Sequence, residues 1–259
     1  VGEMRLSSAY ITRGMDYQYG QNVAFDDMTG VAEAAQRCLQ YTPDRDFAFI
    51  LGTSNNVIYK FRSSEDGRVP NTNIAFDKFS VTSQESSPRW FHFSSDGMKL
   101  FVVGTAGDDV NEYNLVAPYV LTGATFVDAT SLLTNPNIIL FYPDGARFWA
   151  APTGSVFTEY SCTPWDASTL ATTGRTMDFS SLFSGSITSV AFSSDGLEVA
   201  MADGNDRIHH VTLTVPYDLT TATYNGAIMQ YSIALGAWSK DGTAIYGIDN
   251  QDTIVSLML

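Results

Sequence analysis

The sequence predicts an all-β repeat protein of five similar units, from a recurring turn motif, its regular spacing and a strand-like composition. The motif is an aromatic residue three positions before an aspartate, and glycine usually follows the aspartate. The five copies are Tyr41/Asp44, Phe93/Asp96, Phe141/Asp144, Phe192/Asp195 and Trp238/Asp241. The aspartates lie 52, 48, 51 and 46 residues apart in a chain of 259 residues. Spacings of this size are typical of propellers, solenoids and arrays.

Each copy of the motif predicts a tight hairpin between two short strands. In the second copy, apolar residues at 91–93 and 100–103 flank Ser-Ser-Asp-Gly at 94–97. The aspartate accepts hydrogen bonds from nearby backbone amides, and glycine takes a positive φ without a Cβ clash. The first copy departs from the pattern because Arg45 stands where the other copies have glycine.

A third strand is predicted about 13 residues after each aspartate, marked by two apolar residues three positions apart, such as Val110 and Tyr113. Three copies then show proline followed by a large aromatic, and we interpret these aromatics as packing anchors. They are Tyr119, Trp165 and Tyr217. A fourth strand completes a four-stranded antiparallel unit of about 50 residues. Radial repetition of such sheets is the β-propeller, so we predict a five-bladed β-propeller of four-stranded antiparallel blades.

The fifth copy ends too early to hold its own fourth strand. Residues 6–10 resemble residues 219–223, which precede the fourth strand of the previous copy. We therefore predict that an N-terminal strand closes the last blade of a single domain spanning 1–259. The predicted blades are 21–79, 80–130, 131–180, 181–231 and 232–259, with 1–20 as the outer strand of the fifth blade. A short helix is expected within 28–36, in a loop of the first blade.

Composition and charge exclude some classes of partner. The net charge is −14 and the isoelectric point is near 4.3, whereas nucleic-acid binding needs clustered lysine and arginine. No apolar run approaches the roughly 20 residues of a membrane-spanning helix, so membrane insertion is not expected. Cys38 and Cys162 are expected to be small apolar side chains without a disulfide between them. No cofactor is expected.

Acidic residues in the turns before the third strands are the candidate binding residues. These residues are Asp108, Asp109, Asp203, Asp206, Asp249 and Asp252. We expect them on one rim of the propeller near the central opening, where they could attract a cation or a basic patch of a partner. The alternative is ordinary turn chemistry, for which aspartate is common. None of these turns reproduces the calcium-loop pattern D-x-[DN]-x-[DN]-G, so no dedicated metal site is predicted.

No catalytic residue is predicted. His92, His209 and His210 are the three histidines, and no further histidine or cysteine stands at metal-ligand spacing. The sequence contains no G-x-S-x-G, H-E-x-x-H or P-loop motif. The inner strands are apolar, and Glu85 and Glu198 do not form a catalytic pair. We therefore assign the histidines structural or surface roles.

The composite repeat is aromatic-Ser-x-Asp-Gly, an apolar strand, Asp-x-apolar-x-x-Tyr, then Pro-Trp/Tyr-Asp-x-Ser/Thr-Thr-Ala, clearest in 93–115 and 164–169. It resembles the propeller repeats of bacteriophage tail and fibre proteins, those of some bacterial surface proteins, and more distantly the YVTN/lactonase-like propellers. The resemblance implies a non-enzymatic module on a virion or at the extracellular or cell surface, acting in host attachment or assembly. Its implied partners are other virion or surface proteins, or a cell-surface glycan. Two alternatives stay open: a secreted carbohydrate-binding lectin, and a lactonase-like or glycan-cleaving enzyme with acids and a histidine in the central channel.

Overall fold

The computed structural model describes residues 17–22, 35–63, 75–230, 233–239, 242, 244–249 and 253–258. Over these residues the chain forms twenty β-strands and one short 3-10 segment, Leu219–Thr221. In this part of the chain no helix is long and apolar enough to cross a bilayer. The helix expected within 28–36 falls mostly on residues 28–34, which lie outside the described residues, and Gln36 begins a strand.

The strands form five antiparallel four-stranded sheets, which are arranged as the blades of a propeller. Strand β1 (Tyr17–Asn22) comes first in the chain. The first sheet contains β2 (Gln36–Tyr41), β3 (Phe47–Gly52), β4 (Val57–Arg62) and β5 (Asp77–Ser80). The second contains β6 (Pro88–Phe93), β7 (Lys99–Gly104), β8 (Asp109–Asn114) and β9 (Thr125–Ser131). The third contains β10 (Pro136–Phe141), β11 (Arg147–Pro152), β12 (Val156–Thr163) and β13 (Asp166–Asp178). The fourth contains β14 (Ile187–Phe192), β15 (Glu198–Asp203), β16 (Arg207–Leu213) and β17 (Ala222–Gln230). The fifth contains β18 (Ile233–Trp238), β19 (Ala244–Asp249) and β20 (Thr253–Met258), with β1 as its fourth strand.

The fourth strand of the fifth sheet comes from the other end of the described chain. Strand β1 pairs antiparallel with β20, with Tyr17 opposite Leu257 and Asn22 opposite Thr253. The predicted boundary is wrong by two residues, because Gln21 and Asn22 belong to this strand and not to the first blade. Residues 1–16, which complete the predicted outer strand, lie outside the described residues.

Two further blade boundaries were placed too early. Ser80 and Ser131 are the last residues of β5 and β9, opposite Val57 and Asp109, whereas the sequence placed them at the start of the next blade. Both serines are exposed at the ends of the outer strands of their sheets.

The recurring aromatics pack between neighbouring sheets. Phe93 lies 4.6 Å, between ring centroids, from Phe49 of the preceding sheet, and Phe141 lies 4.7 Å from Phe101. Tyr41 of the first sheet contacts Tyr246 of the fifth in the same way, at 5.9 Å. The first strands of consecutive sheets also contact one another, and β18 contacts both β14 and β2. The core therefore consists of the apolar wedges between sheets.

The aspartate of each described hairpin organises the turn. Asp96 Oδ1 accepts hydrogen bonds from Ser94 Oγ at 2.6 Å and from Met98 N at 2.9 Å. These hydrogen bonds lower the pKa of Asp96, because they stabilise its charged form. Gly97 follows at φ 70° and completes the hairpin.

The anchors that follow proline tie neighbouring sheets together. The carbonyl oxygen of Tyr119 accepts a hydrogen bond from Lys60 Nζ of the preceding sheet at 2.8 Å. Lys99 Nζ donates in the same way to Trp165 O at 2.7 Å. In the next interface the donor is Trp149 Nε1, 3.0 Å from the carbonyl oxygen of Tyr217. Each anchor is thus held by a donor from the sheet before it.

Candidate functional site: the central cavity

The five sheets surround one central cavity of about 360 Å³. Its wall is formed by the first strand of every sheet, through residues such as Gln40, His92, Leu140, Ala191 and Ala237. These five residues occupy the same repeat position, directly before the recurring aromatic. The hairpin residues Pro43 and Ser194 also line it, which places the cavity toward the Asp-Gly end of the strands. We call this space the central cavity.

One side of the central cavity is polar. Gln40 and His92 project from the first and second sheets, and Arg45 reaches the wall from the first hairpin. Gln40 Nε2 donates to the carbonyl oxygen of Phe91 at 2.5 Å. The equivalent wall positions of the third, fourth and fifth sheets are apolar, namely Leu140, Ala191 and Ala237.

Arg45 is held in an unusual backbone conformation. Its φ is 69°, in the left-handed region that disfavours residues with a Cβ. Its Nη2 donates to the carbonyl oxygen of Trp238, and its guanidinium carbon lies 5.0 Å from the centre of the Tyr41 ring. Nη1 is buried and has no hydrogen-bond partner among the described residues. Burial lowers the pKa of Arg45, and the nearby tyrosines Tyr41 and Tyr246 oppose that shift.

His92 is an uncharged cavity residue. Burial lowers its pKa to about 4, so the imidazole is neutral at pH 7. Its ring is tilted against Phe141 and stacks on Trp165, with centroids 5.5 Å and 6.4 Å away. Within the described residues, the Nδ1 atom of His92 and the Nε1–H group of the buried Trp90 have no hydrogen-bond partner. Both residues line the central cavity.

The predicted acidic rim lies at the other end of the strands. Asp108 is exposed at φ 55°, and its Oδ1 accepts a hydrogen bond from Asn135 N at 2.6 Å. Asp109 Oδ1 accepts from Asn111 Nδ2 at 2.7 Å. Burial raises the pKa of Asp109, and the adjacent charge of Asp108 adds to this shift. Both carboxylates act locally, within the turn and its neighbouring segment.

Asp203 is buried instead of lying on an open rim. Its carboxylate accepts hydrogen bonds from the backbone amides of Asn205 and Arg207 and lies 3.1 Å from His209 Nε2. Burial raises the pKa of Asp203, but the hydrogen bonds, led by that from His209, outweigh burial and lower it. His209 also contacts Tyr224 Oη at 3.0 Å and stacks on Phe183 at 4.1 Å. This histidine is a packed core residue.

Of the remaining acidic candidates, Asp206 shares the turn of Asp203, and its backbone amide donates to the carbonyl oxygen of Asp203 at 3.2 Å. Asp206 is exposed at φ 60°, and Asp249 is the last residue of β19. Asp252 lies outside the described residues. Over the described part of the chain, no group of three or more histidine, cysteine, aspartate or glutamate residues is placed to hold a metal ion.

The three anchor aromatics do not form exposed stacking platforms. The rings of Tyr119 and Tyr217 lie against their own hairpins, and their hydroxyls donate to the carbonyl oxygens of Ser95 and Ser194. Trp165 covers the third hairpin and contacts Phe141 at 5.1 Å. Their packing role agrees with the interpretation drawn from their recurrence after proline.

Sequence reasoning missed the polar side of the central cavity. The signal was present in the repeat alignment, where Gln40 and His92 are polar and Leu140, Ala191 and Ala237 are apolar. Arg45 departs from the repeat by standing where the other copies have glycine. These residues come from two sheets, so no single repeat shows that they line the same cavity.

A scan against protein-family models finds no match, and neither does a search of curated protein sequences. Among solved structures, the chain is similar to one in a nidogen/laminin complex, with 14% identity, a TM-score of 0.50, and coverage of 84% of this chain and 73% of that one. It is also similar to the β-propeller domain of Cps50 (Swd1) from Myceliophteria thermophila, with 8% identity, a TM-score of 0.49, and coverage of 86% and 82%. A candidate 6-phosphogluconolactonase from Bacteroides uniformis matches with 15% identity, a TM-score of 0.47, and coverage of 83% and 59%.

The chain spans between 56% and 62% of the length of several similar structures. At these identities the similarity shows the β-propeller fold and nothing about activity. The resemblance to bacteriophage tail and fibre repeats finds no counterpart among the solved structures described above.

Proposed function

We propose that this chain is a non-enzymatic binding module built as a closed five-bladed β-propeller. Two observations support the closed ring: the first strands contact one another in the cyclic order β2, β6, β10, β14, β18, and the first strands of all five sheets line one cavity. The pairing of β1 with β20 also supports closure, because it joins the two ends of the described chain in one sheet.

The proposal that the module is not an enzyme rests on the residues that line the central cavity. Among the described residues that line it, none is an aspartate or a glutamate. Glycoside hydrolysis requires a pair of carboxyl groups flanking the substrate, and a lactonase-like channel was expected to hold convergent acids. A cavity lined by one arginine, one neutral histidine, one glutamine and otherwise apolar, aromatic or hydroxyl side chains is suited to holding a ligand.

The acids elsewhere in the second and fourth sheets do not supply such a pair. Glu85 is fully buried and accepts hydrogen bonds from the backbone amides of Ser87 and Ala106, at 2.7 Å and 3.2 Å. Glu198 pairs with His210 on the fourth sheet. Neither carboxylate lines the central cavity.

The biological setting we propose is a virion, as a tail or fibre component, or an extracellular or cell surface. The recurring hairpin and Pro-aromatic pattern supports this setting, and the proposed partners are other virion or surface proteins. The anchor aromatics are packed on their own hairpins, so they do not favour the alternative of a lectin with one sugar site per blade.

Sedimentation and intact mass spectrometry of the native particle that carries this chain test the proposal. We expect a multi-protein particle. A free species of about 28.3 kDa that turns over a small substrate would contradict both the setting and the non-enzymatic assignment.

A further inference from the structure

The first strands of four sheets carry a β-bulge at the same repeat position. In each of these strands the second residue has no partner in the pairing with the next strand. The four bulged residues are Arg37 in β2, Arg89 in β6, Asn137 in β10 and Thr188 in β14. They lie at the end of the first strands opposite the Asp-Gly hairpins. A bulge redirects a side chain, and bulges are common beside functional sites.

Two of the bulged residues bind to the propeller itself. Asn137 Nδ2 donates to the carbonyl oxygen of Ile187 in the next sheet, at 3.3 Å. Thr188 Oγ1 donates to the carbonyl oxygen of Ala202 on the paired strand, at 3.2 Å. Backbone acceptors therefore satisfy the bulged side chains of the third and fourth sheets.

The two bulged arginines are not satisfied in this way. The Nε atom of Arg89 is buried and has no hydrogen-bond partner among the described residues. None of the ion pairs within the described part of the chain includes Arg37 or Arg89. A buried polar group without a partner costs about 1–3 kcal/mol, and a charged one costs more.

The charges of Arg37 and Arg89 lie close enough to act on each other. The strands that carry them, β2 and β6, are neighbours in the ring and contact each other. Burial lowers the pKa of Arg37, and the positive charge of Arg89 lowers it further. Both side chains are partly exposed, so a ligand from solvent can reach them.

The described carboxylates at this end of the second sheet are held by amide donors. Glu85 accepts hydrogen bonds from the backbone amides of Ser87 and Ala106, and Asp109 accepts one from Asn111 Nδ2. Neither carboxylate forms an ion pair with an arginine. They do not supply the direct partner that two adjacent guanidinium groups require.

The pair of guanidinium groups favours an anion with two charges and several oxygens. Arginine presents its donors in a planar fork that matches phosphate oxygens. A phosphate monoester carries a charge of about −1.5 to −2 at pH 7, which balances two arginines. A monoanion would leave one of the two positive charges without a counter-charge.

We propose that Arg37 and Arg89 together bind a doubly charged phosphate group at the end of the first strands opposite the Asp-Gly hairpins. This inference goes beyond the proposed binding function, because it assigns a ligand to a region other than the central cavity. It depends on neither the virion setting nor the residues that line that cavity.

Calorimetric titration of the full chain with inorganic phosphate, glycerol 2-phosphate, methyl sulfate and acetate tests the proposal. We expect at least one of the two phosphates to bind at least tenfold more tightly than the monoanions methyl sulfate and acetate. Tighter binding of inorganic phosphate would identify the free ion as the ligand, and tighter binding of glycerol 2-phosphate would identify a phosphate monoester. Absence of phosphate binding, or equal binding of all four anions, would overturn the proposal.

Variants of the two arginines separate binding from folding. Arg37→Gln and Arg89→Gln should each weaken phosphate binding at least tenfold. Both ligand-free variants should melt at the same temperature as the parent or higher, because each removes a repulsion between like charges. Arg89→Lys should weaken binding at least fivefold, because it keeps the charge and removes the planar fork. Arg207→Gln removes an exposed arginine at the same end of the fourth sheet and should change affinity less than twofold.

Unchanged affinity in both glutamine variants would overturn the assignment. A further variant tests whether the chain supplies its own anion. Residues 23–34 precede β2, lie outside the described residues and include Asp26, Asp27 and Glu33. Changing these three acids to their amides should alter phosphate affinity less than threefold. Phosphate binding by this variant alone would assign the arginines to a carboxylate of the chain and overturn the proposal.

Discussion

The ring of Tyr119 lies directly over Gly97. A Cβ atom built at Gly97 would come within 2.4 Å of the Tyr119 ring, and the backbone amide of Tyr119 donates to the carbonyl oxygen of Gly97 at 2.8 Å. The same relationship joins Gly145 to Trp165, with a 2.3 Å approach, and Gly196 to Tyr217, with 2.4 Å. Glycine is therefore favoured at these three hairpins for two reasons. It adopts the positive φ of the turn, and it leaves the space that the anchor ring fills.

Replacing Gly97 with alanine is expected to destabilise the protein strongly. The change adds a clash with the Tyr119 ring to the cost of a side chain at positive φ, so we expect a loss of about 2–4 kcal/mol in the free energy of unfolding. Gly242→Ala is the matched control, because Gly242 has φ 71° but no atom of the described residues within 4 Å of the added Cβ, and it should cost about 1 kcal/mol. Urea denaturation of both variants measures the difference. Equal losses in the free energy of unfolding would show that the Tyr119 ring does not restrict the space at Gly97.

Glu112 is expected to stabilise the interface between the second and third sheets. Its carboxylate is buried, pairs with Lys99 Nζ at 2.5 Å and accepts a hydrogen bond from Ala167 N at 3.0 Å. Glu112→Ala should cost about 2–4 kcal/mol, because it removes the carboxylate partner of Lys99 and leaves the buried Ala167 amide unpaired. Asp128→Ala, an exposed acid opposite Glu112 on the neighbouring strand, should change stability by less than about 0.5 kcal/mol. Equal melting temperatures for the two variants would show that the Glu112 carboxylate does not stabilise the interface between these sheets.

Stability is expected to fall as the pH drops below about 6.5. Burial lowers the pKa of His92 to about 4 from its ordinary 6.5, so between these values the unfolded chain binds a proton that the folded chain does not. The free energy of unfolding therefore decreases as pH falls through this range, by up to about 3 kcal/mol for this residue. Burial also lowers the pKa of His209, which acts in the same direction.

Comparing His92→Gln with the parent from pH 7.5 to 4 measures that contribution. The variant should lose a large part of the pH dependence, because glutamine does not titrate. His210→Gln, at a partly exposed position, is the control for removing a histidine as such. A parent protein whose stability is flat over this range would contradict the buried, neutral state of His92.

Removing residues 1–22 is expected to open the fifth sheet. Strand β20 would lose its antiparallel partner β1 and present an unpaired edge, which promotes self-association. We expect a lower melting temperature and a concentration-dependent oligomer by light scattering. A truncated chain that stays monomeric and melts like the parent would show that β1 does not close the sheet.

The repeat made the architecture predictable because the hairpins depend on local chemistry. Asp96 and Gly97 specify their turn by hydrogen bonding and φ alone, so their recurrence located the first and second strands. The proline-aromatic pairs likewise indicated packing anchors. The sequence did not indicate which residues of the preceding sheet donate hydrogen bonds to these anchors. Lys60 and Trp149 fill the same role with different chemistry, so no sequence pattern linked them.

The site was less predictable because it depends on contacts between residues far apart in the chain. Arg45 and Trp238 are joined by a hydrogen bond across 193 positions, which no local pattern reports. Asp203 had the sequence appearance of an exposed turn residue, but His209 and two backbone amides enclose its carboxylate. Turn composition predicts where an aspartate lies along the chain, and packing decides whether it faces solvent.

A crystal structure of the protein purified without added ligand tests the central claim most directly. We expect five blades around one channel, β1 as the fourth strand of the last blade, Arg45 bound to the carbonyl oxygen of Trp238, and His92 packed against Phe141 and Trp165. A ring that is open, or that has another number of blades, would contradict the proposed closed five-bladed propeller.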